Sequence, residues 1–254
     1  MTIPFTRQTP RKSAFRVMAL VMAMGAAVPA VAQADGMMAT DPLMQVDYTK
    51  FRHDFQDMYR VANPNLLGHR IFYDAPSTGP DAAWFDAVKQ GNLEAVKAMV
   101  EAGQNLEAKD EDKLGQTALG WAAFIGYPDM VEYLVEKGAD VRATDRGDVY
   151  HSLKSAVMGG NLDVIRFLHE KLKDEADWNA LEDDGETLFL IGAVDGRAEF
   201  TEWALQFKPD LDVVTKKDNS ALSLACEQAF YDVAQILIRA GAINHKTGKS
   251  SCTK

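Results

Sequence analysis

Apolar positions along most of this chain fall into short paired stripes at helical spacing rather than one long pattern. The runs "LEAVKAMV", "PDMVEYLV", "LDVIRFL", "AEFTEWAL" and "YDVAQILI" each carry an acidic residue near the start and apolar residues three and four apart after it. That spacing predicts an amphipathic helix, and the early Asp or Glu suits the positive end of its dipole. A shorter segment rich in small residues precedes each run and closes on Gly91, Gly126, Gly160 or Gly196, with Ala229 at that place in the fifth copy. The intervals are 35, 34, 36 and 33 residues. Ala87, Ala122 with Ala123, Ala156, Gly192 with Ala193, and Ala225 with Cys226 lie three or four positions before the closing residue. Side chains this small let two short helices approach closely. Gly103, Gly138 and Gly241 end the second run in copies one, two and five, where a helix terminus calls for a left-handed residue.

A single pair of such helices cannot bury its own apolar stripe, whereas stacked neighbours bury it together. The pattern therefore predicts one elongated all-α domain. The second copy, "DKLGQTALGWAAFIGYPDMVEYLVEKGADVRATD", has the Gly-x-Thr opening, the small-residue helix and the Gly-Ala-Asp ending that resemble the ankyrin repeat. Copy four keeps "DGETLFLIGAVDG". Copy three departs at Val149 and His151, where the family has Gly and Thr, copy five has Asp218 and Ser220 there, and copy one lacks the opening. The resemblance covers residues 81–245 and implies a solenoid of about five helix-turn-helix repeats with short β-hairpin tips. It is specific for fold and nearly silent on function.

The flanks read differently. Arg7, Arg11, Lys12 and Arg16 precede the apolar run "VMALVMAMGAAVPAV" and the small-x-small site Ala32-Gln33-Ala34, the order of a cleavable signal peptide over residues 1–34. The run is short for a bilayer span and contains Pro29. The expectation is export to a periplasm, cleavage after Ala34 and no membrane insertion afterwards. Residues 35–80 read as an N-terminal capping segment. In it a helix over about 43–60 aligns Phe51, Phe55, Met58 and Tyr59, and a turn-rich stretch with Pro64, Gly68, Pro76, Gly79 and Pro80 follows. The polar residues 246–254 read as a flexible tail.

Charge narrows the partners. Losing residues 1–34 removes four basic and no acidic residues, leaving 23 Lys+Arg against 37 Asp+Glu, a net charge of −14. That disfavours nucleic acid and points to a basic protein partner. The five histidines are scattered without metal-ligand spacing, and the motifs of the familiar nucleotide-binding and hydrolytic enzymes are missing, so neither catalytic residue, metal nor cofactor is expected. Export would allow Cys226 and Cys252 to pair, but an apolar helical setting for one and a tail setting for the other read more simply as a buried small residue and a tail thiol; the pairing stays open.

The resemblance implies that partners are bound by the hairpin tips and the concave face of each first helix. The two positions before the closing Gly are expected to look onto that face. This makes Phe124 and Ile125 of copy two and Met158 of copy three candidate anchors, with Leu114 and Tyr150 at the tips. Asp148, Asp183, Asp184, Glu186, Asp195 and Glu227 form the expected acidic rim. The function implied is a non-catalytic exported protein-binding module. Among exported proteins of this kind are immunity proteins against secreted toxins, proteins supporting a periplasmic catalase in oxidative stress, and effectors secreted to a host; the strongly acidic chain favours the first.

Overall fold

Thr117, Thr187 and Ser220 start the first helices of copies two, four and five in one way. Each side-chain oxygen accepts the backbone N–H three residues on, from Gly120, Leu190 and Ser223, at 3.1, 3.1 and 3.3 Å. Such caps satisfy donors that the helix itself leaves open, each contributing about 1 kcal/mol. In copy three His151 takes over the position, and its Nδ1 accepts from Lys154 N–H at 3.2 Å. The departures of copies three and five thus leave the capping mechanism intact. Asp218 likewise stands in for the opening glycine by adopting φ +59°.

The computed structural model describes residues 76–253, with the exception of 147, 148, 150 and 184. The expected signal segment and the helix expected at 43–60 lie outside the described residues. First and second helices alternate as α1 (Ala82–Lys89) and α2 (Leu93–Glu101), α3 (Ala118–Ile125) and α4 (Pro128–Glu136), α5 (Ser152–Gly159) and α6 (Leu162–Leu172), α7 (Leu188–Val194) and α8 (Ala198–Ala204), and α9 (Ala221–Glu227) and α10 (Tyr231–Arg239). Consecutive first helices pack on one another, as do second helices from α4 to α10, giving two layers. The tips between copies are tight turns, with a backbone bridge at Asp110–Gln116, and a like bridge at Asn244–Lys249 follows the last copy.

Leu119, Leu153, Phe189 and Leu222 repeat at one position of the first helices and are fully buried, and Val96, Val131 and Ile165 do so on the second helices. Each such side chain contributes roughly 1.5–3 kcal/mol of transfer free energy. Two glycines set the spacing. A Cβ on Gly159 would sit 2.0 Å from the carbonyl oxygen of Phe124, so α5 can lie directly against α3 only without one. Gly126 has φ +92° and lies under Asn161.

Copies are also joined by polar bonds. The residue preceding each second helix reaches back to the turn of the copy before it. Tyr127 donates its hydroxyl to Lys89 O at 3.0 Å, Asn161 Nδ2 donates to Gly126 O at 3.2 Å, and Arg197 Nε donates to Met158 O at 2.9 Å. At the last joint the Phe230 ring lies over Gly196.

The C-terminus corrects two expectations. Cys226 and Cys252 are joined in a disulfide across 26 positions. Residues 243–253 are folded back rather than frayed. Asn244 N–H bonds Lys249 O at 2.9 Å, Ser250 Oγ donates to Ala242 O at 2.9 Å, and His245 Nδ1 meets Ser220 Oγ at 3.0 Å. The segment makes one further hairpin tip and covers the open side of the last copy. The pairing was hidden because nothing local to either cysteine announces a chain reversal that depends on the stacked fold.

His151 gives the fold a pH dependence. Burial pushes its pKa below 6.5, with Lys154 acting the same way while its own backbone bond and Glu175 oppose. Burial lowers His169 as well, against Glu170. Both rings then take up a proton more readily when the chain unfolds. Stability is full above the unfolded value of 6.5 and falls as pH drops below it. His151→Thr restores a hydroxyl cap that does not titrate. The wild type should lose more stability than this variant between about pH 7.5 and 5, read from urea midpoints; equal losses would contradict the assignment.

Candidate partner-binding surface

Buried charge marks the first copies. Lys89 occupies the position two before the closing glycine and is fully buried, with Nζ 3.8 Å from Asp110 Oδ2 and 3.6 Å from Asp86 Oδ1. Asp110 Oδ2 also accepts from Trp121 Nε1 at 3.1 Å and from Ser77 Oγ at 2.8 Å. Burial holds the Lys89 pKa below 10.5, and Asp110 is the largest opposing influence. A packed ion pair inside a set of hydrogen bonds ties the chain ahead of α1 to the second copy.

The same position in later copies runs Phe124, Met158, Val194 and Glu227, buried in the first two and opening to solvent in the last two. Phe124 is 5% exposed, Met158 3%, Val194 is half-buried and Glu227 is exposed. Phe124 and Met158 are therefore core residues and not the outward anchors expected of them. The close approach of α5 to α3 at Gly159 places a neighbouring helix where solvent was expected. Phe124 makes an edge contact with Trp121 at 6.4 Å. Leu114 and Ile125 are half-buried, Leu114 in a left-handed turn at φ +64°. Of the expected rim, Asp183 is exposed, Glu186 and Asp195 are half-buried, and Glu227 is exposed but paired with Lys246 Nζ at 2.8 Å. Tyr150, Asp148 and Asp184 lie outside the described residues. The expected set does not form one patch.

The exposed apolar surface is elsewhere. Large apolar side chains that stand out in solvent include Leu181 at 67%, Val214 at 43% and Ile243 at 39%. Each of these three immediately precedes the residue whose N–H closes a hairpin tip. The closing bonds are Glu182 to Glu186 O, Thr215 to Asn219 O and Asn244 to Lys249 O, at 2.8, 2.8 and 2.9 Å. The three are structurally equivalent and fall on consecutive tips. At the two earlier tips the same position holds Lys109 and Thr144, with Lys109 Nζ bonded to Thr144 O. Hydrophobic character at this position thus begins at the fourth copy. Leu181 lies beside the acidic run "LEDDGE", and its equivalence to Val214 and Ile243 is set by the bonds that close the three tips.

A recess of about 470 Å³ opens between α6, α8 and α10, lined by Leu162, Arg166, Ala198, Trp203 and Ile236 among others. Trp203 belongs to an aromatic cluster in which His169 stacks on Trp178 at 5.4 Å and meets Phe207 at 4.6 Å, a structural setting for that histidine. Among the described residues no three His, Cys, Asp or Glu side chains gather as a metal site, and no helix is long and apolar enough to cross a membrane.

Stacked helix pairs with tips aligned along one edge define a repeat-solenoid binding module. The family model for ankyrin repeats (3 copies) matches residues 63–145 and 153–247, and one for ankyrin repeats (many copies) matches 126–169. The chain belongs to the ankyrin-repeat family. It is 34% identical over 102 residues to E3 ubiquitin-protein ligase hecd-1 of Caenorhabditis elegans, a match covering 40% of this chain and 4% of that protein. It is 46% identical over 69 residues to human protein phosphatase 1 regulatory subunit 27, covering 27% of this chain and 44% of that one. Notch-regulated ankyrin repeat-containing protein A of Danio rerio is 31% identical over 98 residues, with 38% of this chain and 87% of that protein covered. The chain thus spans less than half the length of the first two relatives, and the similarity is one of binding modules.

Proposed function

We propose that this chain is an exported, non-catalytic module that captures a partner protein along its C-terminal hairpin tips, occupying a segment of that partner and so inhibiting or supporting it. The observation that carries the reading is the row Leu181, Val214 and Ile243, exposed at equivalent positions of adjoining tips. Apolar side chains held in register in solvent cost solubility unless a partner covers them. The Cys226–Cys252 disulfide supports the exported location, because such bonds persist in oxidising compartments. Overall acidity favours encounter with a basic protein at long range, in the manner of an immunity protein meeting a secreted toxin, while short-range fit is decided at the tips.

The test is recovery of partners from a periplasmic extract by the wild type and by Leu181→Asp/Val214→Asp. Both substitutions are on exposed positions and leave the melting temperature nearly unchanged. The wild type should retain one stoichiometric protein that the variant loses. Identical recoveries would remove the tip surface from consideration. Intact mass of the exported chain, expected to match residues 35–254 with the cysteines joined, checks the location.

A further inference from the structure

We infer that the Cys226–Cys252 bond is a thiol-exchange site open to a dithiol reductant, and that its opening loosens the last tip and weakens docking there. The docking half rests on the tips being a partner surface; the exchange half rests on the bond's own surroundings.

The two sulfurs differ in access. Cys226 is half-buried on α9 and packs against the core, whereas Cys252 is exposed. A disulfide opens when a thiolate attacks one of its sulfurs, and access helps decide which. Here one thiolate of the dithiol attacks Cys252 Sγ. The bond to Cys226 breaks, a mixed disulfide forms at Cys252, and Cys226 leaves with the electron pair and takes up a proton. The reductant's second thiolate then attacks its own sulfur in the mixed disulfide, and Cys252 leaves and is protonated in turn. The chain gains two electrons and two protons, and the dithiol loses them as it closes to a disulfide.

The folded-back segment leans on this bond. Residues 243–254 read "INHKTGKSSCTK", in which Ile243 and Cys252 are the apolar residues, and Ile243 stands in solvent. Folding back therefore removes little apolar surface from water. The other ties are polar. His245 meets Ser220 and Asp218, Lys246 bonds Glu227 and Asn219, and Ser250 bonds Ala242 O. Such bonds with exposed members hold weakly one by one. Beyond Ser250, the side chains of Ser251 and Thr253 bond only each other among the described residues. The disulfide closes a separation of 26 positions and restrains the whole segment. Once it is open, the hairpin 244–249 keeps its own bridge but is no longer pinned to α9. Ile243, immediately ahead of that hairpin, then loses its fixed place at the end of the row begun by Leu181 and Val214.

The full chain carries the test. In the folded wild type without denaturant, dithiothreitol should open the bond at a rate proportional to its concentration, read by alkylation and intact mass. A rate that levels off is set by unfolding of the chain and overturns the exchange site. After brief exposure to glutathione and acid quenching, the mixed disulfide should map to Cys252; one on Cys226 overturns the assignment. Trypsin should cut after Lys246 and Lys249 about tenfold faster in Cys252→Ser than in the oxidised wild type, with cuts after Lys137 and Lys171 unchanged. Equal cutting at Lys246 and Lys249 overturns the release. Cys252→Ser should also retain about threefold less of the periplasmic partner, the scale of one apolar contact made loose. If a partner that depends on Leu181 and Val214 is retained equally by Cys252→Ser, the docking surface stands and its redox control falls. If neither chain retains a partner, the docking reading falls together with its control, and the exchange and release measurements decide the site alone.

Discussion

Asp110→Ala should be among the most damaging single changes in the described structure, costing about 3–5 kcal/mol as a buried cation loses its compensating charge. Lys89 remains fully buried, with Asp86 at 3.6 Å as the remaining carboxylate near it. The Trp121 and Ser77 donors lose their acceptor at the same time. The cost should be largely a matter of mismatch. In Lys89→Met/Asp110→Asn both charges are gone and an amide still accepts from Trp121, so most of the stability should return. Urea unfolding of Lys89→Met, Asp110→Asn and the double variant measures this. If the double variant equals the sum of the singles, the residues are not coupled and the ion-pair account fails.

Opening the Cys226–Cys252 bond should cost about 3 kcal/mol, the scale expected for a loop of this size. The loss should be confined in space. Each copy leans on its neighbours, so freeing the folded-back segment exposes copy five before any other. Amide exchange in α9 and α10 should accelerate under reductant or in Cys252→Ser, while α3 to α6 keep their protection. Uniform acceleration along the chain would show instead that the array unfolds as one unit. Ser220, His245 and Asn244 make their bonds without the disulfide, so the hairpin at 244–249 should weaken rather than vanish.

Much of the fold was legible because its rules are local. The amphipathic runs, the small residues and the hydroxyl caps at Thr117, Thr187 and Ser220 act within a few residues of one another, and each predicted helix pair is present. His151 looked like a departure from the repeat, yet its ring nitrogen does the work of the hydroxyl. The surface was less legible because exposure is a property of neighbours. Phe124 and Met158 sit at a register that faces outward in an isolated helix pair, but Gly159 lets the next helix come so close that the outward direction is occupied. Leu181, Val214 and Ile243 carry no periodicity within any one copy. Their kinship shows only when hydrogen bonds fix which residue closes each tip.

The joints between copies carry one more implication. A phenol, a carboxamide, a guanidinium and a phenyl ring successively key Tyr127, Asn161, Arg197 and Phe230 to the turn before them. An array with uniform joints can gain or drop a unit by unequal recombination and still close. Here an excised third unit would leave Arg197 facing the turn shaped for Asn161, and a duplicated one would set Asn161 against the turn that Arg197 reaches. Exchanging units would therefore mismatch the joints, whereas the exposed side chains at the tips can change without touching them.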